Sequence, residues 1–475
     1  MIKFGTGGFR GIIGEDFTKE NVQLIAQAVS EMIAEEGNNL PVVIGYDYRF
    51  GSEYFANWMA ETFAGNGIRC LLYAEPMPTP AIMMAVRDEG LHYGVMITAS
   101  HNPYNFNGVK MFLKGGVDAD VEFTGRLENA VRRVTQVKSM PLKQAKTQSV
   151  VLDYSNKTHY LENIKSFLSS EIFGSNLKIL YDNLYGVGSL CIQPLFDLVG
   201  MKNYKILNVK REAFFGMLMP NPTQSSMAHL KNELLEGGFD FAMATDSDSD
   251  RLGILDEKGN YVSSNHILAS LYYYLVKYRK MQGDVVKNCA TSVLLDKLAV
   301  KLGYKCHEVD VGFKNISAGI RKYDALIGGE SSGGLTVRGY IFGKDSVFSA
   351  LLFTEMVTVM GKPVSEIIKE VETFAGYSHI CVEDEIRFEQ EGGLIEYLQT
   401  HSPVFDRKLV GCEHMGNNFK YHFENDSWAL IRLSGTEPVF RVFAEFETEE
   451  EARRNVEILR SFINAYGQRE AVRQA

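Results

Sequence analysis

The chain has 475 residues, too many for one hydrophobic core, and a prior of about 150 residues per domain predicts roughly three domains. A hydrophobic fraction of 45% with 23% charged residues is typical of globular proteins and excludes extended disorder. The formal net charge of −10 provides no general positive field, so we expect neither nucleic acid nor membrane as a partner.

The first residues lack the apolar core of a signal peptide, and no later apolar run is long enough to span a bilayer. We therefore expect a cytoplasmic protein. The 6 cysteines are widely scattered without a C-x-x-C pair, which favours reduced and mostly buried thiols.

Three successive segments share one pattern. Each opens on a strand-like run and later reaches a second apolar run that ends in a polar loop. The opening runs are at 42–46, 177–181 and 285–289, and the closing runs are at 91–100, 238–247 and, more loosely, 322–331. Helical patterns lie between them, for example at 21–34, 54–65 and 265–278. The pattern predicts α/β modules with ligand loops at the carboxyl ends of their strands, the alternative being chance similarity between short apolar runs.

The polar stretch at 134–149 is interpreted as the first linker, and the turn at 256–260 marks a second boundary. We therefore predict α/β domains at 1–140, 150–256 and 257–368, and an α+β domain at 372–475. In that last domain, strand-like runs at 380–388, 419–423, 429–433 and 440–446 precede a long helix. Thr448 and Glu451 form its predicted capping box, and Gly467 is its predicted end.

The loop Thr98-Ala99-Ser100-His101-Asn102-Pro103 follows an apolar run, which places a serine hydroxyl at the mouth of a predicted strand. A serine becomes a useful nucleophile when one group accepts its proton and another balances the charge on the transferred group. His101, Lys110 and a nearby metal can do both, so Ser100 is our candidate nucleophile. The alternative is a simple polar turn.

Asp246, Asp248 and Asp250 alternate with serines directly after another apolar run. Three clustered carboxylates repel one another unless a cation lies among them, and hard oxygen ligands favour Mg²⁺ or Ca²⁺. An EF-hand is one alternative, because Glu257 falls at the position of its last ligand. However, Arg251 stands where that loop needs glycine, and a strand rather than a helix precedes it. A solvated acidic turn is the other alternative.

Two further loops have the composition of ligand sites. The segment from Arg432 to Pro438 combines a guanidinium, two hydroxyls and a glycine, which suits a phosphate, and Arg441 lies close behind it. In the segment from Gly329 to Gly334, Glu330 and Ser332 can bond to sugar hydroxyls. The alternatives are an ordinary hairpin corner and a glycine-rich turn.

In this order the four loops resemble those of the α-D-phosphohexomutase superfamily of phosphoglucomutases and phosphomannomutases. The resemblance extends to Phe4-Gly5-Thr6-Gly7-Gly8-Phe9-Arg10-Gly11 and to Gly45-Tyr46-Asp47-Tyr48-Arg49-Phe50. It implies three similar α/β domains and a C-terminal domain like the TATA-binding protein, arranged around a central cleft.

The resemblance also implies a role for each candidate residue. Ser100 would be the phosphoserine and, with Asp246, Asp248 and Asp250, would bind Mg²⁺. Lys110 would be a possible proton carrier. The reacting phosphate would be lined by Arg10, His101, Lys110 and Arg251. The sugar and the non-reacting phosphate would be held by Glu330, Ser332, Lys314, Arg432, Ser434, Gly435, Thr436 and Arg441.

The implied reaction interconverts hexose 1-phosphate and hexose 6-phosphate through a hexose 1,6-bisphosphate, which also serves as activator. We expect a small phosphosugar as partner, glucose as the preferred sugar with mannose possible, and a monomer or homodimer. Gly334 replaces a histidine found in many members, and Asp345-Ser346 replaces a common Asp-Gly. Both departures bear on the identity of the substrate rather than on the chemistry. The alternatives are a phosphoglucosamine mutase, a non-catalytic phosphosugar-binding protein and a metal-dependent phosphatase.

Overall fold

The computed structural model describes residues 2–5, 8–387, 393–433 and 439–474, which form four units, each built on its own β-sheet. The strands of the first unit are β1 (Phe9–Ile12), β2 (Val42–Tyr46), β3 (Cys70–Tyr73), β4 (Tyr93–Ile97), β5 (Phe106–Leu113), β6 (Val117–Asp118) and β7 (Val151–Tyr154). Its helices are α1 (Lys19–Glu35), α2 (Ser52–Gly65), α3 (Thr79–Asp88), α4 (Val121–Arg133) and α5 (Leu142–Thr147).

The second unit has a five-stranded sheet. Its strands are β8 (Ile179–Asp182), β9 (Tyr204–Leu207), β10 (Phe241–Thr245), β11 (Leu252–Leu255) and β12 (Tyr261–Val262). Its helices are α6 (Lys157–Phe167), α7 (Ser189–Leu198), α8 (Gln224–Met227) and α9 (Leu230–Gly237).

The third unit has a four-stranded sheet. Its strands are β13 (Val285–Asn288), β14 (Cys306–Val309), β15 (Ile327–Gly329) and β16 (Leu335–Val337). Its helices are α10 (Ser264–Lys277), α11 (Leu294–Leu302), α12 (Phe313–Tyr323), α13 (Ser346–Met360) and α14 (Val364–Ala375).

The first three sheets share one strand arrangement. A central strand (β2, β8 or β13) pairs in parallel with a neighbour on each side, and one of those neighbours (β4, β10 or β15) pairs with an antiparallel strand. The predicted opening and closing runs fall on these central strands and on β4, β10 and β15. The predicted threefold repeat is therefore confirmed, and its candidate loops follow equivalent strands.

Two predicted boundaries fall inside sheets. Strand β7 pairs with β3 of the first unit, and β12 pairs with β11 of the second, so boundaries at residues 150 and 257 divide both sheets. The predicted linker contains helix α5 and lies along α2, where the Met140 N–H donates to the Glu61 carbonyl at 2.9 Å. This segment is part of the first unit rather than a free connection.

The fourth unit is an antiparallel sheet in the order β17-β21-β20-β19-β18. Its strands are β17 (Ile380–Arg387), β18 (Leu409–Met415), β19 (Asn418–Phe423), β20 (Trp428–Leu433) and β21 (Val439–Phe446), and its helices are α15 (Leu394–Thr400) and α16 (Glu449–Gln474). Helix α16 begins as predicted, with the Glu451 N–H donating to Thr448 Oγ1 at 3.3 Å. The predicted end at Gly467 is wrong. One glycine costs a helix only about 1 kcal/mol, and the residues after it are mostly strong helix formers.

Side chains on β20 and β21 alternate between two surroundings, as the pleat of a strand requires. Ala429, Ile431 and Leu433 lie in a core shared with α15 and α16, whereas Trp428 and Leu430 pack against Cys289 and Ala290 of the third unit. The fourth unit therefore has its own core. By contrast, one continuous core joins the first three units.

No single described helix is long and apolar enough to cross a membrane. One bent pair, α13 and α14, which meet at 83°, meets the criteria of length and composition together.

Candidate active site

Ser100 follows strand β4 and lies at the junction of the first two units. Its backbone is in the left-handed region, with φ of 49°, and its side chain is buried. Ser100 Oγ donates to Asp246 Oδ2 at 2.8 Å and lies 3.3 Å from His101 Nδ1. A positive φ is strained for a serine, and such strain persists only where surrounding contacts impose it.

The three aspartates lie on the equivalent loop after β10. One oxygen from each of Asp246, Asp248 and Asp250 falls within 4.8 Å of the other two, and all three side chains are buried. Burial raises the pKa of Asp246 well above its usual range, and the neighbouring carboxylates add to this. Among the described residues, Asp248 Oδ1 and Asp250 Oδ1 have no hydrogen-bond partner. A cluster of carboxylates in which two oxygens accept no hydrogen bond fits a hard divalent cation such as Mg²⁺.

Two lysines neutralise part of this cluster. Lys110 Nζ lies 2.6 Å from Asp248 Oδ2 and 2.7 Å from Asp250 Oδ2, and Lys344 Nζ lies 3.1 Å from Asp250 Oδ2. Burial alone would raise the pKa of Asp250, but Lys110, Lys344 and Arg251 hold it well below its usual range. Burial likewise opposes the charge on Lys110, yet the two aspartates raise its pKa. Lys110 is therefore a fixed cation at neutral pH.

The surroundings of His101 favour the neutral form of its imidazole. Burial lowers the pKa of His101 well below its usual range, and the nearby Arg251 and Arg10 guanidinium groups lower it further. Arg10 NH1 donates to Asn102 Oδ1 at 2.6 Å, which places this arginine on the same serine loop. A neutral imidazole beside Ser100 Oγ can accept a proton.

The EF-hand alternative is excluded. Glu257 accepts a hydrogen bond from the Ser365 N–H at 3.2 Å, at the start of α14, and so lies away from the aspartates. Two strands, β10 and β11, flank the metal loop.

Glu330 is held in place by the third unit. Its Oε1 accepts hydrogen bonds from Asn288 Nδ2 at 3.2 Å and from the Gly312 N–H at 3.0 Å. Ser332 Oγ lies 3.5 Å from Glu330 Oε2. Lys314 is not among the described residues that line the cavity, although Gly312 and Phe313 beside it are, so its predicted sugar contact stays a prediction.

Gly334 has a steric explanation. A Cβ atom at this position would lie 2.2 Å from Lys344 Cδ, so a side chain here would displace the stem that carries Lys344 to Asp250. The sequence identified Gly334 as unusual but did not identify Lys344.

Arg432 and Arg441 are directly opposite each other on β20 and β21. Like charges in such a pair repel, and burial together with Arg441 lowers the pKa of Arg432. An anion between the two guanidinium groups would relieve that repulsion. Ser434, Gly435 and Thr436, predicted for the same loop, lie outside the described residues.

One cavity of about 310 Å³ joins these loops. Its charged or titratable lining comprises Lys3, Arg10, His101, Lys110, Arg251, Lys344, Arg432, Arg441, Asp118, Asp250, Glu330 and Glu383. Lysine and arginine outnumber carboxylates in this lining, although the whole chain is acidic. The sequence did not identify Asp118 or Glu383, which come from segments without a distinctive local motif, or Lys3 and Lys344, which stand just outside the motifs at 4–11 and 345–346.

Family models for phosphoglucomutase/phosphomannomutase match four parts of the chain. Those of α/β/α domains I, II and III match residues 1–138, 158–259 and 263–374, and that of the C-terminal domain matches residues 410–461.

Similar proteins cover nearly the whole chain. A phosphoglucomutase/phosphomannomutase and a phosphopentomutase, both from Thermococcus kodakarensis, are 27% and 30% identical over 96% and 94% of this chain and 97% and 95% of their own. A probable phosphoglucosamine mutase from Pyrococcus furiosus is 27% identical over 97% of both chains. A solved structure from Thermus thermophilus, provisionally identified as a phosphomannomutase, has a TM-score of 0.84 at 28% identity and covers 98% of this chain and 99% of its own.

The four-unit fold and these matches define an enzyme that transfers a phosphoryl group within a sugar phosphate. The loops that follow equivalent strands in the three α/β units meet at its cleft. The chain belongs to the phosphoglucomutase/phosphomannomutase family of the α-D-phosphohexomutase superfamily.

Proposed function

We propose that this enzyme interconverts hexose 1-phosphate and hexose 6-phosphate, with glucose preferred and mannose accepted. The reaction proceeds through a phosphoserine at Ser100 and a hexose 1,6-bisphosphate, which also primes the enzyme by phosphorylating this serine. One observation carries the proposal: Ser100 Oγ lies 2.8 Å from a cluster of three buried carboxylates beside a cavity rich in lysine and arginine.

The residues around Ser100 divide the chemistry between them. His101, neutral and 3.3 Å from Ser100 Oγ, is suited to accept the proton of the attacking hydroxyl. Lys110, Arg10 and Arg251 supply positive charge to the transferring phosphoryl group. Lys110 is the alternative proton carrier, although its two aspartate partners favour its charged form.

The aspartates would hold Mg²⁺ together with an oxygen on Ser100. When bound, the ion would neutralise charge on the transferring phosphoryl group. Thr79 Oγ1 donates to Asp248 Oδ2 at 2.6 Å, and the Asp250 and Arg251 N–H groups donate to Asp246 Oδ1 at 2.8 and 3.0 Å. These bonds leave Asp248 Oδ1 and Asp250 Oδ1 for the ion.

The two remaining loops would bind the substrate. Glu330 and Ser332 would contact sugar hydroxyls, and Lys344, whose stem lies against Gly334 of the same loop, adds a cation to the cavity lining. Arg432 and Arg441, with Ser434, Gly435 and Thr436, would hold the phosphate that does not react. A charged site of this kind accepts either end of a bisphosphate, as the proposed cycle requires.

Two other substrates are supported by the relatives. One relative at 27% identity carries the name probable phosphoglucosamine mutase, and one at 30% carries the name phosphopentomutase. A coupled assay with the 1-phosphates of glucose, mannose, glucosamine and ribose, each with Mg²⁺ and the matching bisphosphate, separates these functions. We expect the highest kcat/KM with glucose 1-phosphate. Higher kcat/KM with glucosamine or ribose 1-phosphate would replace this proposal, and release of inorganic phosphate instead of isomer would indicate a phosphatase.

The nucleophile is tested on the same protein. We expect peptide mapping to find one phosphoryl group on Ser100 in part of the purified enzyme, because the cycle needs a resident phosphate. Ser100→Ala should lower kcat roughly a thousandfold or more, whereas Ser155→Ala, at an exposed serine, should leave it unchanged. Full activity in Ser100→Ala would assign the nucleophile elsewhere.

A further inference from the structure

Arg49 is a buried cation that the proposed chemistry does not use. Its side chain is fully buried, and it lies just after strand β2. NH1 donates to the carbonyls of Pro103 and Phe106 at 2.8 and 3.0 Å, and NH2 donates to those of Ser100 and Asn102. All four acceptors belong to the segment that starts at the proposed nucleophile.

Asp47 connects to the same serine by a second route. Its carboxylate accepts hydrogen bonds from the Arg49 N–H at 3.0 Å, from Ser52 Oγ at 2.8 Å and from Thr98 Oγ1 at 2.6 Å. Thr98 Oγ1 in turn accepts the Ser100 N–H at 2.9 Å. Both the N–H and the carbonyl of Ser100 are therefore held by buried side chains.

The network also reaches the metal loop. Ser247, between two of the aspartates, donates through its Oγ to the Ser100 carbonyl and lies 3.3 Å from Asp47 Oδ2. Thr98 of the serine loop and Ser247 of the metal loop thus meet at Asp47, and Ser247 also donates directly to the serine loop. A shift of either loop would therefore break hydrogen bonds that join the two loops.

These bonds are shielded from solvent, because the Arg49 side chain is fully buried. The Phe215 ring, from the second unit, lies over the guanidinium with its centroid 5.0 Å from Arg49 Cζ. Burial lowers the pKa of Arg49 to about 10, which still leaves the group charged at neutral pH. Hydrogen bonds from a buried charged donor are among the stronger ones in proteins.

Ser100 needs such a framework because its φ of 49° is unfavourable for a residue with a Cβ atom. We infer that Asp47, Arg49 and Thr98 are positioning residues that fix the direction of Ser100 Oγ and its register against the aspartates. The inference rests on the proposed role of Ser100 as the phosphorylated nucleophile. None of the three side chains is among the described residues lining the cavity, so their effect on substrate binding should be small.

The test compares kcat with KM in conservative variants. In Arg49→Lys and Thr98→Val we expect kcat to fall about a hundredfold, because a small misplacement of a reacting group costs about that much in rate. KM should stay within about threefold of wild type. Thr98→Ser keeps the hydroxyl and should restore most of the turnover. Arg211→Lys is the matched control, because Arg211 Nε donates to the Tyr48 carbonyl of the same segment at 3.3 Å without reaching the serine loop.

The outcomes separate this inference from the proposed function. If wild type shows no mutase activity, or Ser100→Ala keeps it, the proposed function fails. If Ser100→Ala is inactive but folded Arg49→Lys and Thr98→Val keep wild-type kcat, or change KM alone, the inference is overturned. If Arg49→Lys fails to fold, the two Thr98 variants test the inference instead. Equal kcat in Thr98→Val and Thr98→Ser would overturn the inference.

Discussion

At the scale of single residues, the aspartate cluster makes the sharpest prediction. Asp246, Asp248 and Asp250 hold like charges together in a buried setting, which a bound divalent cation would relieve. We expect Mg²⁺ to raise the melting temperature of the wild-type protein and chelation to abolish turnover. In Asp248→Asn the Mg²⁺-dependent rise should be lost, as measured by differential scanning calorimetry.

Asp256→Asn is the control for this experiment. Asp256 accepts N–H groups of the turn after β11 and is not part of the cluster, so the Mg²⁺ response should survive its replacement. An Mg²⁺ response retained in Asp248→Asn would place the ion elsewhere.

Five of the residues that could be predicted from the sequence share one property: each lies in a short polar loop directly after an apolar strand. Ser100, the three aspartates and Glu330 are of this kind. Lys344, Glu383 and Asp118 could not be predicted, because only the folding of distant segments brings them to the cavity. Arg49 lay in a motif noted for its resemblance, but its four carbonyl partners depend on tertiary structure.

At the scale of elements, the start of helix α13 depends on one buried carboxylate. Asp345 caps the helix by accepting the Phe348 N–H at 2.9 Å, and it also accepts hydrogen bonds from the Tyr160 and Tyr340 hydroxyls at 2.8 and 2.7 Å. Burial raises the pKa of Asp345 from 3.8 to about 6. The Asp345 carboxyl therefore binds a proton more tightly in the folded protein than in the unfolded chain.

This shift gives stability a defined pH dependence. The folded state binds more protons between pH 4 and 6, so the contribution of Asp345 is complete below pH 3.8 and is lost as pH rises through 6. The shift corresponds to about 3 kcal/mol. Asp345→Asn, which keeps a capping oxygen, should therefore gain stability relative to wild type from pH 4 to pH 7, measured as the difference in melting temperature. Asp153→Asn, at an exposed carboxylate, is the control for removing one charge, and parallel curves for Asp345→Asn and wild type would contradict the assignment.

The elements themselves were largely predictable where apolar periodicity was strong. Strands β2 and β13 and helix α16 begin where the pattern indicates, whereas the runs predicted from residues 177 and 322 start before β8 (Ile179–Asp182) and β15 (Ile327–Gly329). Strand β18 was not predicted, because Leu409–Met415 is a partly polar edge strand whose partner decides its conformation. Helix α16 continues past Gly467 because the helix-forming residues after that glycine outweigh its cost.

At the scale of the whole molecule, the division into two separate hydrophobic cores indicates which unit can move relative to the others. The first three units share a continuous core, whereas the fourth has its own and meets the third through a small apolar cluster and polar pairs such as Glu308 with Lys420 and Lys297 with Asp426. Its chain enters after Gly376, which is left-handed at the end of α14. We therefore expect the fourth unit to close over bound sugar phosphate and to open between half-reactions.

Arg432→Ala tests this closure. The change should weaken binding of glucose 1-phosphate and of glucose 1,6-bisphosphate by roughly 2 to 5 kcal/mol, the range for a lost buried charge partner, and should abolish ligand-induced compaction. Calorimetry measures the first effect and small-angle X-ray scattering the second. Arg407→Ala removes an arginine that pairs with Glu447 and Glu451 outside the cavity lining, and it should bind both ligands normally. Normal binding by Arg432→Ala would refute the phosphate site, and wild-type scattering unchanged by ligand would refute the closure.

The position of strand β7 has a consequence for synthesis on the ribosome. Because β7 completes the first sheet beside β3, the unit that carries the nucleophile cannot finish folding until about residue 154 has left the exit tunnel. Until then the edge of β3 lacks its partner and is open to pairing with another nascent chain. A chain truncated at residue 156 should therefore resist proteolysis and remain monomeric better than one truncated at residue 140. The short segment from α5 to β7 thus determines when the β3 edge of the first sheet is closed during synthesis.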